Sequence, residues 1–413
     1  MIKISDVEKC CGCGACIQKC PQKCIDFILD NEGFYYPQVR TESCINCGIC
    51  ERVCPFGDSV KQNKMEPIET WASYAKDRDI LINSSSGGIF SLLAKCVLEQ
   101  EGIVYGTGLS EDCRSAIVVA VEDMNELNHL RGSKYLQSLT RKVFIDIQFQ
   151  LSHGRYVLFS GTPCQVSALK LFLGKDYKNL ICIDIICHGV PSPKLWTKYI
   201  NYMEMKHRLK VVGVNFRCKD ECWKKFRTKE NHRGKNVFIN RRYDTYMQMF
   251  SRNYCLRPSC YKCKAKSHNM ADITLGDFWG IERVLPQMNG GLGTSLVIVR
   301  SIKGKELFEK ISKELRKELV NYLEAVKDNE AEYKSVDRPI ERDAFFTDMN
   351  SLEYKDLFMK YLYSSKKLRL KKRLIDIRIW KIFEKIRGYQ TNNLQYGLLF
   401  QMELQNGQKN LET

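Results

Sequence analysis

The sequence predicts an α/β fold, α+β over the whole chain: a small cysteine-rich N-terminal domain, an α/β core and a helical C-terminal region. Three observations predict it. Ten of the twenty cysteines fall before residue 55. From Trp71 onward, short apolar runs alternate with helix-length segments, the pattern of α/β proteins. Beyond about residue 320 helix-length segments continue, and over 366–387 the chain is strongly basic, with apolar residues at helical spacing. The expected domains are 1–62, 70–320 and 321–413, the first two joined by the polar stretch GDSVKQNKMEPIET with its Pro67.

Composition narrows the class. The 413 residues suit two or three domains, and 44% hydrophobic content is enough to build their cores. No run of 18 uncharged apolar residues occurs, so no membrane span is expected. The opening MIKISDVEKC lacks an apolar signal region, and a cytoplasmic protein is expected. In such a chain, twenty cysteines point to metal rather than to a disulfide framework.

The N-terminal domain carries the most specific signal. CCGCGACIQKCP supplies Cys10, Cys13, Cys16 and Cys20, and CINCGICERVCP supplies Cys44, Cys47, Cys50 and Cys54, each run ending in proline. Both fit C-x2-C-x2-C-x3-C-P, the run of two-cluster bacterial ferredoxins, whose fourth cysteine ligates the other cluster. Cys10, Cys13, Cys16 and Cys54 are therefore assigned to one 4Fe-4S cluster, and Cys44, Cys47, Cys50 and Cys20 to a second. Zinc or a disulfide knot is the competing reading, and two full copies of the run argue against it. Cys11 and Cys24 are off-pattern. Between the runs, IDFILDNEGFYYPQV alternates and turns at Asn31–Gly33, like a β-hairpin.

Clusters change the charge balance. The formal net charge of +17 counts cysteines as neutral. Three cubes at about −2 each would leave about +11. Residues 1–60 hold 6 basic and 8 acidic side chains, so the excess lies downstream.

In the core, NSSSGGIFSLLAKCVLEQEG predicts a helix with Ser or Gly at its start and Gly102 after its end. IVYGTGL and AIVVAVED predict strands. RKVFIDIQFQLSHG predicts a helix, YVLFS a buried strand, CQVSALKLFLG a helix, and NLICIDIICHG a second buried strand. ADITLGD and TSLVIVR complete the set. Cys96, Cys113 and Cys182 lie on apolar stretches and are expected in the core.

Two turns carry chemistry. SSSGG, 84–88, sits at a helix start, where free N–H groups attract anions and glycine lets a phosphate approach. An ordinary helix cap is the plainer reading. GTPCQ, 161–165, follows a buried strand, and open α/β sheets bind ligands at the carboxyl ends of their strands. ICHGVPSP puts Cys187 and His188 at the next such end. A thiol at 164 is a nucleophile, a ligand or a bystander, with His188 the nearest base in sequence. RPSCYKC adds Cys260 and Cys263 at C-x2-C spacing, half of a metal site. Cys164 and Cys187 are the best candidates for the other half, with Cys255 a rival for the fourth place. Zinc accepts four thiolates too, and a lone C-x2-C suits a redox disulfide. Cys218 and Cys222 form a weaker C-x3-C pair.

SSSGGIF, LRGSKYLQS, GTPCQVSALK, ICHGVPSP and RPSCYKC…ADITLGDFWG, in that order, resemble the coenzyme F-420 hydrogenase/dehydrogenase beta-subunit family over about residues 1–300, with the dicluster ferredoxin domain in front. The resemblance implies a flavin-binding iron–sulfur oxidoreductase. It implies a third 4Fe-4S site on Cys164, Cys187, Cys260 and Cys263. FAD is implied near Ser85, Ser86, Gly87, Gly88, Ser133, Lys134, Tyr135, Gly161 and Thr162. On this reading a ferredoxin-like donor delivers single electrons, the clusters pass them to FAD, and FAD reduces a small organic substrate or deazaflavin. Lys134 would stabilise negative charge on reduced flavin. His188 would protonate the substrate as the catalytic acid, or hydrogen-bond near the cluster. The family pattern stops after residue 300.

Three functions follow: a complete flavin reductase, an electron-transfer subunit without a substrate site, or a zinc-binding scaffold, which the ferredoxin runs argue against. Near the end, KKLRLKKRLIDIRIWKIFEKIR, 366–387, holds 10 basic and 2 acidic residues, with Leu370, Leu374 and Ile377 at helical spacing and Lys367, Lys371, Arg378, Lys381 and Lys385 as a basic stripe. Such a helix suits a solvated basic face on the core, or peripheral contact with an anionic membrane. No recognition motif accompanies the charge, so nucleic acid is not an expected partner.

Overall fold

The alternating hairpin sequence folds as its pattern demands. In the computed structural model, which describes residues 2, 6–57, 65–220 and 222–363, β1 (Ile25–Leu29) and β2 (Tyr35–Val39) pair antiparallel from Ile25↔Val39 to Leu29↔Tyr35. The chain divides into two compact units, Met1–Lys355 and Asp356–Thr413. The cysteine-rich segment and the core strands both lie in the first. The expected basic helix 366–387 lies outside the described residues. No helix among the described residues is long and apolar enough to cross a membrane.

The α/β architecture expected from the sequence is the one the chain adopts. The remaining strands are β3 (Glu69–Ala75), β4 (Ile103–Leu109), β5 (Ala116–Val121), β6 (Ser138–Leu139), β7 (Val157–Gly161), β8 (Leu180–Ile185), β9 (Gly213–Cys218), β10 (Arg227–His232), β11 (Lys235–Asn240), β12 (Ile273–Asp277), β13 (Ser295–Val299) and β14 (Leu315–Leu319). A nine-stranded sheet runs β14-β3-β13-β12-β8-β7-β4-β5-β6. Its centre is parallel, β4 with β7, β7 with β8, and β8 with β12. Antiparallel pairs flank it at β4–β5 and β12–β13–β3–β14.

Side chains alternate across these central strands. Val104, Leu158, Ile181 and Ile183 face the helix Ile89–Leu98 through Leu92, Leu93 and Val97. Tyr105, Phe159 and Cys182 face the helices Val143–Ser152 and Pro163–Leu173 through Phe144, Ile147, Val166, Leu169 and Phe172. Covered on both faces, β7 and β8 are near-continuous apolar runs, as parallel strands require. A sheet with both faces covered exposes its strand ends, and the chemistry gathers there.

The sequence reading did not foresee the antiparallel sheet β11-β10-β9. Its middle strand buries Thr228, Glu230 and His232 on one face. Alternation is present, but the inward residues are polar.

Candidate metal and cofactor site

Both ferredoxin runs are built around left-handed glycines. Gly14 (φ +74°) and Gly48 (φ +69°) open the short helices Ala15–Lys19 and Ile49–Arg52. Gly12 (φ +69°) turns where any side chain would strike Gln137 and Arg257. These turns bring Cys10, Cys13, Cys16 and Cys54 into one another's electrostatic reach: Cys10 and Cys54 act on Cys16, and Cys16 and Cys54 on Cys13. Cys20, Cys44, Cys47 and Cys50 line one cleft with Ile25, Val39 and Gly48. Off-pattern Cys24 is buried in the same place, its sulfur 3.5 Å from that of Cys20. Cys54 thus lies near Cys13 and Cys16, and Cys20 near Cys44, Cys47 and Cys50.

A third thiol set lies at the carboxyl edge of the sheet. Cys164 opens the helix after β7, and Cys187 follows β8. Cys260 lies in the 3₁₀ turn Pro258–Lys262, and Cys263 ends it. Cys187 and Cys260 each feel Cys164 and Cys263. Burial pushes the Cys187 thiol up to about 12 and the Cys263 thiol up to about 11, so ligation must displace protons. The Val190 N–H lies 3.4 Å from Cys260 Sγ. Gly189 (φ +147°) lets the two segments close, since a Cβ there would sit 2.9 Å from Leu256. Cys255 is elsewhere, buried beside Tyr246, Tyr261 and Tyr354.

Among the described residues no three His, Cys, Asp or Glu side chains converge on a single point, as a lone metal ion requires. A cube asks for something looser, since each thiolate binds its own iron. The all-thiol donor sets and their glycine-formed loops fit that group.

Cys11, off-pattern in sequence, joins the sets. Its thiol lies within electrostatic reach of those of Cys10, Cys13 and Cys164. The core also grips this loop through three backbone carbonyls. Cys10 O accepts from Arg257 Nε at 2.7 Å, Cys11 O from Gln137 Nε2 at 3.4 Å, and Cys13 O from Thr140 Oγ1 at 2.7 Å.

The flavin-motif residues divide between two places. Ser85 Oγ accepts from Ser133 N at 2.8 Å and lies 2.9 Å from Ser133 Oγ, joining the two serine loops. Ser86 Oγ donates to Thr294 O, and Gly87 N to Ser295 Oγ. Gly87 is packed so closely on Ser73 and Ser295 that no side chain fits, and Gly88 (φ +83°) caps the helix Ile89–Leu98. Gly132 (φ +80°), by contrast, faces open space. Burial lowers the Lys134 ammonium to about 7, and it donates to the carbonyls of His129, Leu130 and Arg131. Its donors are taken up by the chain itself. Gly161 and Thr162 lie instead by the third thiol set. Thr162 Oγ1 is 3.1 Å from Cys164 Sγ, and Thr162 N donates to Gln165 Oε1 in a capping box.

Two buried cations that sequence reasoning missed hold the SSSGG loop. Arg217 donates to Ser85 O at 3.3 Å, Tyr135 OH at 3.2 Å and Asp277 Oδ2 at 2.7 Å. Lys219, lowered to about 7 by burial, donates to Ser86 O and Leu292 O. Both come from β9 and its exit, in the sheet whose polar face hid it. His188 lies with Nε2 2.6 Å from Asn253 Oδ1 and its ring on Phe250. Burial holds it below the usual histidine range, and its Nε2 is engaged by Asn253.

Comparison with known proteins agrees with these motifs. Residues 154–324 match the family model for the C terminus of the coenzyme F420 hydrogenase/dehydrogenase beta subunit. Residues 9–57 match the 4Fe-4S dicluster domain. No curated protein matches. Among solved structures, a chain of the xenon-derivatised F420-reducing NiFe hydrogenase complex from Methanosarcina barkeri is similar at 16% identity and a TM-score of 0.43. The match covers 75% of this chain and 95% of that one.

Proposed function

Because a 4Fe-4S dicluster domain here precedes the C-terminal region of a coenzyme F420 hydrogenase/dehydrogenase beta subunit, we propose that the chain is an iron–sulfur flavoprotein oxidoreductase. It takes single electrons from a ferredoxin-like protein and delivers them to a small organic acceptor or deazaflavin. One observation carries the reading: the thiols of Cys164, Cys187, Cys260 and Cys263 gather at the sheet's carboxyl edge, within electrostatic reach of one another, and Cys164 is in the same reach of Cys11 in the first ferredoxin run. Bound clusters supply one-electron carriers, and FAD supplies the exchange between one- and two-electron chemistry.

The chain's own residues do the holding. Eight cysteines of the two runs and four at the sheet edge would ligate iron. Ser85 and Ser133, beside the open space at Gly132, would line the FAD site, on loops that Arg217 and Lys219 keep in place. His188, with Nε2 engaged, would orient rather than protonate.

A second reading is favoured by the family description, which is that of a subunit. The chain would then pass electrons to a partner enzyme and need no substrate site. Anaerobic reconstitution tests both. Three clusters need about 12 iron atoms per chain and two need about 8. Cys260→Ala/Cys263→Ala should remove about four and leave the rest. Denaturation should release FAD. A wild type holding only about 8 iron atoms and no flavin would overturn the flavoprotein reading. Bound flavin with no acceptor reduced by the isolated chain would favour the electron-transfer role.

A further inference from the structure

Four arginines are buried among the described residues: Arg217, Arg257, Arg300 and Arg342. A buried charge is tolerated when it is paired. Arg217 pairs with Asp277, Arg300 with Glu332, and Arg342 with Glu32. Arg257, at 0% exposure, has no carboxylate partner among the described residues. It donates to Cys10 O at 2.7 Å, to Gln137 Oε1 at 3.1 Å and to Tyr35 O at 2.9 Å, and its Nη2 lies 3.5 Å from Cys10 Sγ. The rings of Tyr36 and Phe34 stack at 4.2 and 5.4 Å. Of the groups around it that ligation would make negative, the Cys10 thiol is the one within hydrogen-bond reach. Arg257 also precedes Cys260 by three residues, on the turn that carries the third thiol set.

We propose that Arg257 is a positioning residue with an electrostatic duty: it is the fixed counter-charge of the cluster held by Cys10, Cys13, Cys16 and Cys54, and it makes that cluster easier to reduce than its thiolates alone would allow. The inference rests on the ligand assignment above. One-electron reduction takes the four-thiolate cube from about −2 to about −3, the electron coming from the donor protein. A cation in a water-poor site stabilises the more negative state, and the effect falls off with distance. The first set is therefore affected most, the third less, and the cleft of Cys20, Cys44, Cys47 and Cys50 least.

The test is an EPR-monitored redox titration of reconstituted wild type, Arg257→Lys and Arg257→Gln, with iron counted in each. Arg257→Gln should lower one transition so that its reduced-to-oxidised ratio falls about tenfold at fixed potential, about 59 mV for one electron. Arg257→Lys should recover most of that shift, and the transition of the second cluster should stay put. A purely structural role would not separate Lys from Gln in this way. Iron retained with no transition moved, or all transitions moved equally, overturns the proposal. If Arg257→Gln does not retain iron, Gln137→Glu is read instead. It keeps the arginine and sets a carboxylate on its Nη1, so the same transition should fall, and an unmoved transition overturns the proposal. Wild type that takes up no iron overturns the ligand assignment itself, whereas unmoved potentials in loaded protein overturn this inference alone.

Discussion

Asp184 shows what one buried carboxyl does to a whole fold. It sits on β8 with no exposure, and burial lifts it to about 7. Its Oδ2 accepts from Asn269 at 3.1 Å, while Oδ1 has no hydrogen-bond partner among the described residues. In the unfolded chain such a group titrates near 3.9. Below that pH both states hold the proton and its contribution is fully present. As pH rises from about 4 towards 7 the unfolded state ionises first, and about 1.4 kcal/mol of stability is lost per pH unit. Above 7 the loss levels off. Asp184→Asn should therefore gain on wild type between pH 5.5 and 7 and hold that gain to pH 8, as read from urea melts across the range; a pH-independent difference would sink the account. Residues of this kind were illegible in sequence, because Asp184 lies in an apolar strand and Arg257 in a turn without any pattern to mark either as charged and enclosed. The cysteines were legible because their chemistry needs number and spacing, and spacing is what a sequence displays.

At the scale of elements, legibility followed the chemistry of the buried face. β4, β7, β8, β12 and β13 bury apolar side chains and were readable from period and length. β10 buries Thr228, Glu230 and His232, so its period of two was invisible to hydropathy, and with it went Arg217 and Lys219. β14, Leu315–Leu319, is an edge strand with three charged residues in a row, Arg316, Lys317 and Glu318, a protected edge that does not resemble a core strand. The GTPCQ turn was found for a ligand's sake, yet it also starts a helix. Thr162 caps Pro163–Leu173 in a reciprocal pair with Gln165. Thr162→Ala should cost about 1 kcal/mol in denaturant unfolding, and Thr162→Ser should restore most of it. A variant as stable as wild type would show that the hydroxyl serves only a ligand.

Across the whole first unit, distant segments are joined by polar clamps that no local pattern announces. Arg342 donates to both carboxylate oxygens of Glu32, at 2.8 and 2.6 Å, and to the Leu256 carbonyl. This ties the ferredoxin hairpin to the helix Arg342–Ser351 and to the segment beside the third thiol set. Glu32→Gln removes the nearer of the two carboxylates at the buried guanidinium and should cost about 1.5–3 kcal/mol. Arg342→Met together with Glu32→Gln should cost less than Glu32→Gln alone, in a double-mutant cycle followed by thermal unfolding. Additive losses would mean that the pair is not coupled. The contact spans 310 positions, and only the folded chain reveals it.

The three thiol sets also differ in how much water they meet. Cys47 is exposed at the cleft, Cys10, Cys13 and Cys16 are buried, and the sheet-edge thiols are half-covered beneath the turn at 258–262. In the vocabulary of corrosion, the chain has one bare contact and two sheathed ones. An oxidant arriving from solvent therefore meets Cys47 first and the buried thiols last.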